Sequence, residues 1–162
     1  YHIFRFKLLI MKKLLLLLMF VPLMTIGQVK KMDSKAEEVG VAKNFGVEIA
    51  KLSKVAGEPD YYFITYNNLK YNILTDVDSF GFKDIDGAFD YLYNGIVDVY
   101  KNKSKNVEFE LADGMLSVQH QMGAVRFYFI NKAGVDSWTG YISKKQMATL
   151  FGKKYNKADF KK

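Results

Sequence analysis

Few residues beyond position 27 have types suited to chemistry: one histidine, His120, two glutamates at alternate positions, Glu108 and Glu110, and an acidic run from Asp76 to Asp84. Histidine changes charge near neutral pH and is the usual general acid or base. His120 ends an apolar strand pattern, which predicts a packed, structural imidazole. Glu108 and Glu110 share a strand face with Ser117 and Gln119, the composition of a solvated sheet surface rather than of a hydrolytic carboxylate dyad. No cysteine and no second histidine accompany His120 there, so zinc or copper lacks its usual nitrogen and sulfur donors. In Asp76-Val77-Asp78-Ser79-Phe80-Gly81-Phe82-Lys83-Asp84, oxygen donors at the first, third and ninth positions with glycine at the sixth match a calcium loop. Phe80 stands where the fifth ligand belongs and Gly87 where the closing glutamate belongs, so the run reads as a turn leading into a helix. No catalytic residue, metal site or cofactor is assigned.

Aromatic surplus is the stronger signal. Tyr61 and Phe63, and Tyr128, Ile130 and Trp138, fall on strand faces opposite the predicted core. Either a helix covers them as a second core layer, or they stay open to a protein, peptide or glycan, since exported monomers rarely leave large apolar surfaces unused. Tyr61, Phe63, Tyr128 and Trp138 are the candidate ligand-binding residues.

Hairpins must position these rings. Tyr61 to Tyr66 and Leu69 to Leu74 flank Asn67-Asn68, residues tolerant of the positive φ of a two-residue turn, and Tyr62, Ile64 and Tyr66 then share one apolar face. Asp113-Gly114 joins Val107–Ala112 to Met115–His120, setting Leu111 against Leu116, Phe109 against Val118 and Val107 against His120. Lys132-Ala133-Gly134 joins Val125–Asn131 to Val135–Tyr141, with Val125, Phe127 and Phe129 inside and Tyr128 beside Trp138 outside.

Two helices punctuate the strands. Ile85, Ala88, Phe89, Leu92, Tyr93, Ile96, Val97 and Tyr100 make one helical stripe, with Asp84 as its N-cap. Ser143 and Gln146 form a capping box before Met147, Leu150 and Phe151, and Gly152 supplies a left-handed stop. Ser34 and Glu37 suggest another cap, so residues 36–44 are expected to be helix or loop, with a strand after them. Tight hairpins cannot make parallel pairs, so the expected class is α+β: an antiparallel sheet of consecutive hairpins backed by one long and one short helix.

Met11 to Gln28 reads as a secretory signal peptide: Lys12 and Lys13, an apolar run from Leu14 to Met24, then a small-residue exit. The expected organisation is an upstream extension at residues 1–10, the signal at 11–27, a linker or short helix at 28–45, one α+β domain at 46–152 and a flexible basic tail at 153–162. The protein is expected to be exported, to a periplasm or to the extracellular space, with no stable membrane insertion once the signal is removed. The net charge is +7, but residues 37–152 hold 12 bases against 15 acids, and Arg126 is the one arginine among them. A phosphate-tracking surface needs clustered bases, so no nucleic-acid partner is expected.

The leading functional expectation is a non-enzymatic exported module that binds a protein, peptide or saccharide through its aromatic sheet face. An envelope hydrolase using His120 with nearby carboxylates is the alternative. Four strands and a helix, repeated, also resembles the element order of PUR-type nucleic-acid modules, a likeness of order that the acidic body opposes.

Overall fold

Consecutive positive φ values at Phe45 (47°) and Gly46 (83°), and at Met122 (50°) and Gly123 (81°), fold the chain back in two-residue hairpins. The computed structural model describes residues 35–70, 76–104 and 106–161. Ser34–Lys162 form one compact unit. The first sheet contains β1 (Glu37–Asn44), β2 (Val47–Val55), β3 (Tyr61–Asn68) and β4 (Asp76–Lys83), hydrogen-bonded in that order. Helix α1 (Ala88–Asn102) leads to the second sheet, where β5 (Asn106–Leu111), β6 (Gly114–Gln121), β7 (Ala124–Asn131) and β8 (Asp136–Trp138) follow in order. A short β9 (Ile142–Ser143) pairs with the start of β7 and feeds α2 (Lys144–Leu150). Every pairing is antiparallel, so the fold is α+β as the hairpin spacing predicts. Among the described residues no helix is long and apolar enough to cross a membrane.

The helices are exchanged between the halves. Helix α1, which follows the first sheet, lies on β5 and β6 of the second, whereas α2, which follows the second, lies on β1 and β2 of the first. Gly40 permits that close approach: a Cβ there would stand 2.0 Å from the Thr149 carbonyl oxygen and 2.7 Å from that of Leu150. The inner faces of both sheets and the two helices close on one core. Phe80 meets Phe127 edge-on with centroids 5.7 Å apart, and Phe89 of α1 packs on Tyr62 at 4.5 Å. Burying each such ring contributes about 2 kcal/mol.

Two phenols are sealed in this core. Tyr66 shares a 2.6 Å hydrogen bond with Ser137, and Tyr100 donates to the Ile142 carbonyl at 2.7 Å. Burial pushes both hydroxyls far above the ordinary tyrosine range. The unfolded chain therefore releases these protons near pH 10 while the folded chain holds them, and stability falls as pH rises beyond that point. Melting temperature is expected to decline steeply above pH 10, and Tyr66→Phe to flatten the decline; an unchanged profile in that variant would remove Tyr66 from the account.

Several expectations are corrected. Residues 37–44 form a strand, not the predicted helix or linker, because Gly40 and Ala42 face the core on alternate positions and Phe45-Gly46 supplies a turn. Asn67-Asn68 end β3 instead of turning it: the Asn68 carboxamide oxygen accepts from Lys70 N at 3.0 Å and from Trp138 N at 3.4 Å. The strand that follows β3 and pairs with it is β4, with Ile64 opposite Phe80 and Tyr62 opposite Phe82. Residues 71–74 of the expected Leu69–Leu74 strand lie outside the described residues, as does the expected signal. Asp76–Lys83 of the acidic run is a strand with Phe80 and Phe82 buried, not a turn, and only Asp84 lies beyond it.

The β5–β6 register is displaced by two residues, placing Leu111 opposite Gly114 and Phe109 opposite Leu116, so the turn is Ala112-Asp113. Gly114 belongs to the strand, where a Cβ would lie 2.1 Å from the Ile130 carbonyl oxygen. The N-cap of α1 is Gly87, and Asp84 caps from further back, accepting from Phe89 N at 3.0 Å. Ile85 stays exposed instead of joining the helical stripe. The basic tail is docked: Phe160 is 3% exposed and meets Tyr100 edge-on, while Lys153 pairs with Asp90 at 2.8 Å. The α2 capping box, the left-handed Gly152 and the Tyr128–Trp138 pairing are as the sequence predicts.

Candidate aromatic binding face

Period-two alternation in β7 sends Val125, Phe127 and Phe129 into the core and leaves Arg126, Tyr128 and Ile130 on the outer face. The register then lays Glu108, Ser117, Tyr128 and Trp138 in one row across four strands, with Glu110, Met115, Ile130 and Asp136 in the next. Tyr128 and Trp138 stack with centroids 6.0 Å apart and planes inclined by 26°. A separation that wide means a lateral offset, so each ring keeps part of its face open. Both are half-buried.

Polar groups fix this pair from both sides. The Arg126 guanidinium carbon lies 5.9 Å from the Trp138 ring centre and 5.7 Å from that of Tyr141, within cation–π range of both. Its Nε donates to Gln119 Oε1 at 2.9 Å, which sets the guanidinium plane. On the other side the Tyr128 hydroxyl donates to Asp136 Oδ2 at 2.9 Å, and Lys70 pairs with the second oxygen of Asp136. Asp136 is held below the ordinary carboxylate range by hydrogen bonds from Lys70 first and Tyr128 second, and the same hydrogen bond raises the Tyr128 phenol in turn. The face therefore presents fixed cations, a fixed anion, an amide and two open rings.

Tyr61 and Phe63 are not part of it. They lie on the outer face of the first sheet, stacked on each other at 6.4 Å, with Tyr61 lying across Gly81 near the Asp113 turn. Among the described residues no ring contact links the two pairs, so the four candidates form two patches. Among the described residues both helices pack on inner faces, so neither α1 nor α2 covers the rings.

His120 lies on the inner side of β6, opposite Val125 and edge-on to Tyr100 at 6.2 Å. Glu108 lies on the outer side, so the fold does not bring these two together. Among the described residues no cluster of acidic or histidine side chains is suited to hold a metal ion. A feature the sequence reading missed is a hollow of about 370 Å³ between α1 and β5, floored by Phe82, Leu92 and Phe109 and rimmed by Glu108 and Glu110. Tyr91, exposed on α1 and edge-on to Phe109, was its one legible signal.

Compared with known proteins, the chain matches no family model, no curated protein and no solved structure.

Proposed function

We propose that the protein is an exported, non-enzymatic binding module and that the outer face of the second sheet is its ligand surface. The observation that carries this reading is the Arg126–Trp138–Tyr128–Asp136 arrangement. It combines two half-open rings with a guanidinium, a carboxylate and an amide already oriented by hydrogen bonds, on a sheet face against which neither α1 nor α2 packs. Preorganised polar groups beside open rings lower the ordering cost of binding. The occupant these features fit best is a saccharide chain, whose C–H faces pack on rings while its hydroxyls meet planar acceptors and donors. A peptide or protein partner is the second reading, favoured by the adjoining apolar pair Met115 and Ile130. Trp138 is the chain's one tryptophan, so its fluorescence reports on this face alone. Soluble oligosaccharides that bind there are expected to shift its emission and shield it from iodide; binding that leaves Trp138 unshielded would place the ligand elsewhere.

A further inference from the structure

The two x-Gly hairpins carry residues that folding does not ask for. Their first turn positions need positive φ, which asparagine, aspartate and glycine accept most readily, and the chain places Phe45 and Met122 there. Neither side chain is compensated by packing: Phe45 is 101% and Met122 97% exposed, and Val47 beside the first tip is 64% exposed. Each tip thus combines an unfavourable backbone choice with a fully wetted large apolar group. The same combination occurs once in each sheet.

Both tips flank the start of α2. Gln146 in its first turn donates to the Lys43 carbonyl at 2.6 Å, two residues before Phe45, and Ser143, its N-cap, pairs with Ala124, two residues after Met122. Lysines gather around them although the body is acidic. Lys43 adjoins the first tip, Lys144 and Lys145 open α2, and Lys161 follows Phe160, whose carbonyl accepts from Lys144 at 3.3 Å. Against these four lysines stand Glu48 and Asp159 on the same segments and Asp76, which the pairing with Asn68 brings to the same end of the first sheet, a balance of +1.

We propose that this end is a peripheral membrane contact in which Phe45 and Met122 enter the interface of an anionic lipid bilayer and the lysines meet its headgroups. Apolar groups that protrude from a rim of bases can sink into the headgroup–acyl boundary of a bilayer while the bases stay at its surface. Surrounding bases add an attraction that salt screens. The contact is independent of the proposed ligand face, and among the described residues no helix is long and apolar enough to span the bilayer.

The test is sedimentation of the protein with vesicles of phosphatidylglycerol and phosphatidylcholine, and with vesicles of phosphatidylcholine alone. The native chain is expected to partition onto the anionic vesicles at low salt and to leave them at high salt. The double variant Phe45→Asn, Met122→Asn is expected to bind about thirty-fold more weakly or worse. It is also expected to melt at a higher temperature, because asparagine relieves both turns. A variant that is more stable yet no longer binds supports the proposal. Failure of the native chain to sediment, equal binding to neutral vesicles, or undiminished binding by the variant would each overturn it.

Discussion

Gly40→Ala is expected to destabilise the protein by about 3 kcal/mol, the upper end of the range for overpacking a filled interior. The added methyl would meet backbone, the Thr149 carbonyl oxygen at 2.0 Å, and backbone cannot swing aside as a flexible side chain does. Helix α2 would have to lift from β1. That loss would spread, because α2 delivers Met147, Leu150 and Phe151 to the core and Phe151 packs against Phe89 and Tyr93 of α1. For a domain whose total stability is on the order of 10 kcal/mol, the shift should be plain in chemical denaturation. The same change at Gly46, where nothing lies within 4 Å, meets no neighbour and costs only the left-handed backbone. Equal losses at the two positions would mean that α2 does not rest on Gly40.

Tyr128→Ala with Trp138→Ala is expected to weaken ligand capture at least thirty-fold, about 2 kcal/mol, the effect of removing central aromatic anchors from a binding surface. Folding should survive. Both rings are on the outer face, and the core beneath them is made by Phe127, Phe129 and Leu116, which the variant leaves in place. The loss of the Tyr128 hydroxyl also removes one partner of Asp136, but Lys70 still holds that carboxylate. Circular dichroism identical to the native chain, together with lost binding, is the expected pair of results. Collapse of the fold would mean that the rings are structural.

The inner faces were legible because strand alternation and turn chemistry agree there. Val125, Phe127 and Phe129 alternate with outward-facing neighbours, Gly134 accepts the positive φ that the three-residue loop requires, and the pairing of Tyr128 with Trp138 follows from the two together. Ser143, Gln146 and Gly152 likewise mark the bounds of α2 by local hydrogen bonding alone. What local pattern could not provide was register between segments. Asn67-Asn68 has the composition of a turn, yet Asn68 satisfies amides of Lys70 and Trp138, a distant requirement invisible in a window of ten residues. Asp113-Gly114 misled in the same way, since Gly114 is small to let β7 approach rather than to turn. Residues 37–44 misled because an apparent cap competed with a weak strand pattern, and pairing with β2 decided the outcome.

The candidate site was half legible. Alternation alone identified four outward rings, but alternation is defined within one sheet and cannot tell whether two sheets share a side. The structure divides them into Tyr61 with Phe63 and Tyr128 with Trp138. It also adds Arg126, Gln119, Asp136 and Lys70, brought together from β7, β6, β8 and the turn after β3. Arg126 had drawn notice only as an isolated base; its value lies in being wedged between Trp138 and Tyr141.

Binding to an immobilised-glycan array, read for the native chain and for the folded Tyr128→Ala, Trp138→Ala variant side by side, tests the central claim most directly. The native chain should capture a chemically related subset of glycans and the variant none of them. Native protein that captures no glycan, or a variant that captures the same subset equally well, would contradict the assignment of the second sheet's outer face as the ligand surface.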